Sequence, residues 1–211
     1  MASLFPSLGV VKRPFGGVMS SRITLVSHAP TPATNRGAFS ADESLDTRGI
    51  RWAEDARARI PRASRALSAP APSCRQTALA LGLDATLEPA LADWDLGRWR
   101  GRTLDDVAAG DPDAVAAWLT DPAAVPHGGE THLTLLDRIS CWLGSVPDDG
   151  HTVAVTHAAV VRAAVLAVLQ ASPAGFWRID IAPLTATELR GRPGRWTIRS
   201  TAVPLRPNPA S

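Results

Sequence analysis

Two short apolar runs, far apart in the chain, end in the same way. "ITLVSHAPT" (Ile23–Thr31) and "TVAVTHAAV" (Thr152–Val160) both pass from a strand-like stretch to a hydroxyl residue, a histidine and an alanine. Continuous apolar strands of this kind read as buried parallel strands, and ligands of such sheets gather beyond the strands' carboxyl ends. Neighbouring strands lie about 4.8 Å apart. If these two are adjacent, His28 and His157 leave the sheet at one edge and face one pocket. A single histidine at such a place is most simply a strand cap bonded to backbone. A core has no use for a second copy, so the repetition favours function. Two imidazoles suit a negatively charged substrate, one as nucleophile and one as donor to developing charge.

The segments around these strands alternate between β-branched runs and helical patterns, which predicts an α/β domain. After "ITLV" comes a loop rich in Pro, Thr and Asn, then a helix within Ser44–Ile60, with Asp46 as N-cap and Pro61 past its end. "SRALSAPAPS" is a weak strand, and "CRQTALALGL" a short helix closing near Gly82. A Trp-rich connection covers Leu87–Val107, and helices follow around Asp111–Leu119 and Thr131–Leu143. "HTVAVT" leads into the helix "AAVVRAAVLAVLQ", and "TATELR" and "RWTIRS" flank a "GRPG" turn as an antiparallel hairpin. Residues 1–20 read as an N-terminal extension, a disordered arm or a misplaced start. Residues 21–203 form the domain and 204–211 a tail.

Composition narrows the function classes. A chain of 211 residues builds one well-buried core. Its formal charge of +2 argues for neither nucleic acid nor a membrane surface as partner. All basic residues but Lys12 are arginine, which looks like genomic bias. Cys74 and Cys141 make no framework of bridges, so a reduced, cytoplasmic setting is the simpler reading, and Cys74 is a core thiol. No run approaches the ~18 apolar residues of a membrane helix. Close Cys/His spacings for zinc are missing, as are a phosphate-binding P-loop, a GxGxxG turn and a GxSxG elbow.

Six segments in order resemble the histidine phosphatase superfamily, the phosphoglycerate mutase-like proteins. They are "SHAPT", "SLDTRG", "APAPSCRQTA", "LADWDLGRWRG", "PHGGET" and "VTHAAVVRA". The resemblance runs from about Arg22 to Thr201. It implies a three-layer sandwich with a mostly parallel central sheet and helices on both faces. It also implies a phosphatase that hydrolyses a small organic phosphate monoester through a phosphohistidine, with no cofactor and no metal. His28 takes the nucleophile position, Asp93 the general-acid position and His157 that of the second histidine. Asp93 must then be protonated for part of the cycle, which requires a pocket that raises its pKa.

The same frame locates two departures. The family's phosphate-clamping arginines fall on Ser27 and Ser73, whose hydroxyls bring neither charge nor a bidentate fork. Ser27, Thr31 and Ser73 are therefore expected at the phosphate, with Arg36, Arg75 or Arg162 as replacement cations. The helix N-termini at Ala158 and Cys74 supply backbone donors. Trp94, Trp99, Trp118 and Trp142 either shape an apolar side for the ester or belong to the core. A pseudo-phosphatase that keeps the fold as a binding or scaffold module is the alternative. The sequence leaves the ester's identity and the oligomeric state open.

Overall fold

The structure, a computed structural model, describes residues 21–206. Strand β1 (Ser21–Ser27) is buried at every position except Arg22, as a continuous apolar run requires of a central strand. The loop after it contains a short helix, α1 (Pro32–Arg36), where sequence suggested only loop. Thr31 caps it by accepting the N–H of Thr34. Asp46 caps α2 (Thr47–Ala56), its carboxylate accepting the Gly49 N–H at 2.6 Å. A Cβ on Gly49 would sit 2.3 Å from the Pro30 carbonyl, so glycine is what lets α2 press against the loop that follows His28.

Next come β2 (Arg65–Ser68), α3 (Pro72–Ala80) and the two-residue β3 (Thr86–Leu87). The Trp-rich connection is largely irregular, with two short 3₁₀ turns at Pro89–Leu91 and Gly97–Trp99. It ends in α4 (Leu104–Gly110), a helix too short to announce itself by periodicity, followed by α5 (Pro112–Thr120) and α6 (His132–Ser145). Strand β4 (His151–Thr156) and helix α7 (Ala158–Leu169) precede the hairpin β5 (Thr185–Arg192) and β6 (Arg195–Pro204).

The sheet has six strands in the order β3-β2-β4-β1-β5-β6. The first four are mutually parallel, β5 is antiparallel to β1, and the edge strand β6 is antiparallel to β5. It is thus a mixed, mostly parallel sheet with helices packed around it. Ile23, Leu25, Val153 and Val155 in the two central strands are fully buried, and Val160 and Ala164 of α7 join the same core. The packed domain continues past residue 203, where a tail was expected. Leu205 is buried and its N–H donates to the Leu184 carbonyl. The proposed extension, residues 1–20, and residues 207–211 lie outside the described residues.

Candidate active site

Strands β1 and β4 are parallel neighbours in a register that sets Ser27 opposite Thr156. One residue further on, His28 and His157 therefore emerge side by side at the carboxyl edge. Their ring centroids are 5.1 Å apart, with planes at 69°. The hydroxyl ahead of each histidine pins a separate connection to the strand end. Thr156 Oγ1 donates to the Leu91 carbonyl at 2.8 Å, and Ser27 Oγ to the Ala182 carbonyl at 2.7 Å. The turn after His28 is held by the Ala29 N–H, which donates to Thr77 Oγ1 at 3.0 Å, while Thr77 donates to the Ser73 carbonyl. Gln76 accepts the Leu45 N–H at 2.8 Å. The "QT" of the third motif is thus scaffolding for the loops beside the site.

His28 Nδ1 lies 2.8 Å from the Ala29 carbonyl. A carbonyl only accepts, so Nδ1 carries the proton, and a neutral ring leaves the Nε2 lone pair free. Burial, and then the neighbouring His157, push its pKa below the ordinary imidazole range. His157 behaves oppositely. Burial disfavours its charge, but Asp93 and Cys74 together outweigh that penalty and hold its pKa well above the ordinary range. Asp93 Oδ2 lies 3.2 Å from Nδ1, and Cys74 Sγ lies 3.3 Å from Nε2. The charged ring donates from Nε2 to the sulfur. Its Nδ1–H is close to Asp93 without being aligned on it, and has no hydrogen-bond partner.

For Asp93 burial acts upward, but His157 and then His28 pull harder, and its carboxyl ends below the usual carboxylate range. The expectation of a raised pKa is overturned: the pair's proton rests on His157. The loop that carries Asp93 is fixed by Arg138. Its guanidinium pairs with both carboxylate oxygens of Glu130, at 3.0 and 2.8 Å. It also donates to the carbonyls of Ala90, Ala92 and Asp93. The "PHGGET" loop crosses this one closely, with the Glu130 N–H on the Asp95 carbonyl at 2.8 Å. A Cβ on Gly129 would lie 2.1 Å from that carbonyl, so only glycine admits the crossing.

His28, Asp93 and His157 line one cavity of about 260 Å³. Of the residues expected at the phosphate, Ala158 and Arg162 reach it. The others lie outside that lining. Ser27 Oγ turns away and makes four contacts with the 182–185 turn. Ser73 is 1% exposed, its hydroxyl has no hydrogen-bond partner, and it is not part of the lining. Thr31 is buried, capping α1 and donating to Glu43 Oε1 at 2.7 Å. Arg36 is exposed on the last turn of α1, whose buried residue is Ala33. Arg75 is exposed two residues beyond Ser73, about 200° around α3, and lines a different depression.

Trp94 and Trp118 line the cavity with stacked rings, centroids 5.3 Å apart, whereas Trp99 is buried beside them and Trp142 is buried on α6. Wall residues that sequence reasoning missed include Phe176, Trp177, Glu43 and Phe39. The first two sit in a 3₁₀ turn, Pro173–Arg178, which has no periodic signature. Glu43 lies in the irregular loop before α2, where an acid ordinarily reads as solvated. Among the described residues no group of three or more His, Cys, Asp and Glu is arranged to hold a metal ion. Among them, too, no helix is long and apolar enough to cross a membrane.

Residues 23–204 match the family profile described as histidine phosphatase superfamily (branch 1). A bifunctional protein of Mycobacterium tuberculosis is 26% identical over 182 residues, covering 80% of this chain and 50% of that protein. A glucosyl-3-phosphoglycerate phosphatase of Mycolicibacterium vanbaalenii is 31% identical over 118 residues, 49% of this chain and 52% of the relative. The chain thus spans about half the length of the curated relatives it matches. Among solved structures, a phosphoserine phosphatase from Entamoeba histolytica in complex with phosphoserine superposes with a TM-score of 0.79. Identity there is 18%, over 86% of this chain and 96% of that one.

Proposed function

The chain belongs to the histidine phosphatase superfamily, and on that premise we propose that it hydrolyses a small organic phosphate monoester by way of a phosphohistidine on His28. The supporting observation is the pinned His28 ring: with Nδ1–H on Ala29 O, its Nε2 lone pair is free beside the charged His157 and Asp93.

In the first step His28 Nε2 attacks phosphorus and the bond from phosphorus to the ester oxygen breaks. The departing oxygen takes a proton from the Asp93–His157 pair. Asp93 is anionic in the free site, but an arriving phosphate dianion disfavours a second negative charge and draws the shared proton towards the carboxylate. In the second step water attacks the phosphohistidine, the pair takes up its proton, and inorganic phosphate leaves.

Charge on the phosphoryl oxygens is met by the Arg162 guanidinium and by backbone N–H groups at the start of α7, while the His157 Nδ1 proton beside Asp93 is the one the pair delivers. This cradle is thinner than one with two arginines. Each preorganised donor is worth ~10²–10³ in rate, so a slow phosphatase is expected. Rapid quenching with a ³²P-labelled aryl phosphate tests the reading. An acid-labile, base-stable label should appear on the wild type and be absent from a folded His28→Ala variant. No label on the wild type across a panel of esters overturns it and leaves the binding-module alternative.

A further inference from the structure

The charges in the cavity restrict what the ester's organic part can be. Trp94, Trp118, Phe39, Phe176 and Trp177 form much of the wall. The only guanidinium in that lining, Arg162, donates its Nε to the Ile179 carbonyl at 2.8 Å and stands 5.6 Å from the centre of the Phe176 ring. The same lining holds the opposite charge of Glu43, whose carboxylate accepts from Thr31 Oγ1 and from the Ala41 N–H at 2.8 Å. Burial works against its charge, but the hydrogen bonds from Thr31 and Ala41 keep Glu43 anionic.

The fixed charges facing the space are then His157 and Arg162 against Asp93 and Glu43. They cancel before any substrate enters. A phosphoryl group already exceeds what the two cations can neutralise. A second anionic group on the same molecule has no partner left, and leaving water without one is costly. The adjoining depression beyond Asp93 and Trp94 adds Asp42 and Asp95, and its one guanidinium, Arg100, is paired with Asp42. Beyond Arg162 and His157, which the phosphoryl group itself engages, neither space offers an unpaired cation among the described residues.

We propose that this cavity takes phosphate monoesters whose organic part is an uncharged, apolar ring system, and that Glu43 is the residue that turns away esters bearing a second negative charge. The inference deepens the phosphatase reading and rests on it. Aromatic walls provide apolar area and ring-on-ring contact for a flat group. A cavity just under the ~300–1,000 Å³ of drug-sized ligands suits one or two fused rings.

The test compares kcat/KM for 1-naphthyl phosphate and 3-phosphoglycerate on the wild type and on Glu43→Gln. The glutamine amide keeps an oxygen for Thr31 or Ala41 while removing the charge. The wild type should prefer the naphthyl ester by about 100-fold or more, the scale on which like charges reject a wrong partner. Glu43→Gln should narrow that ratio about tenfold, mainly through a lower KM for the phosphoglycerate. Equal use of the two esters, preference for the phosphoglycerate, or an unchanged ratio in Glu43→Gln overturns the inference while leaving phosphatase activity standing. If the wild type hydrolyses neither, calorimetry with both esters separates the two ideas. Binding of the naphthyl ester alone sustains the cavity assignment without the chemistry, and binding of neither defeats both.

Discussion

The ends of β1 and β4 are built alike and behave differently. Each strand closes with a hydroxyl that ties down a connection, then a histidine at the sheet edge, then an alanine. Parallel register alone accounts for the two rings lying 5.1 Å apart. It says nothing about their charge. His28 is set neutral by burial and by one carbonyl at Nδ1, whereas His157 is set positive by a carboxylate on one nitrogen and a sulfur on the other. Strand pairing provides proximity, and the neighbours assign the roles.

Four experiments bear on that contrast. The largest effect is expected from removing the neutral ring: His28→Ala should lose about 10⁴-fold or more in kcat and all phosphoenzyme. Replacing the charged ring with an uncharged donor, His157→Gln, should cost about 10²–10³ in kcat/KM yet still allow slow labelling of His28. Labelling at the wild-type rate would show that His157 has no part in the transfer.

The third experiment is a pH profile. kcat/KM should fall on the acid side only as His28 gains its proton, below pH 6.5, and on the alkaline side as His157 loses its own, well above that value. Cys74→Ala should bring the alkaline limb to lower pH with little loss on the acid side, and Cys74→Ser should restore part of the range. A ¹⁵N titration of His157 reads the same change directly, and an unmoved titration would remove Cys74 from the account. The smallest effect on rate is expected at Ser27. Ser27→Ala should cost about 1–2 kcal/mol in urea unfolding, because the 182–185 turn loses its anchor. It should leave kcat/KM within about twofold, since the hydroxyl faces away from the cavity.

Much of the fold was legible because its signals are local. Apolar continuity marked β1 and β4, Asp46 marked the start of α2, and the turn between the last two strands marked the hairpin. The pairing of His28 with His157 was legible too, since a repeated strand ending is itself a statement about register. The phosphate side was harder. Counting along a motif fixes which residue occupies a position but not where its side chain turns. Ser27 thus reads as a phosphate ligand in sequence, while in the fold it anchors a turn. Arg36 and Arg75 are close to the site in sequence and lie on the outer faces of their helices. Charge state was beyond reach for a similar reason. Cys74 meets His157 from 83 positions away, and no local pattern announces that a core thiol will touch an imidazole.

The inward-turned hydroxyl at position 27 carries a consequence for protein engineers. A guanidinium cannot be introduced there as a simple gain, because the longer side chain must first evict the contacts that close the segment from Ala182 to Thr185. That segment also holds Leu184 in a left-handed conformation, its N–H shared between the carbonyls of Ser27 and His28. Disturbing it loosens the backbone under the His28 ring. A long cationic side chain at this site therefore has to arrive as a coordinated change of strand end and turn together, and single-residue libraries will pass over it.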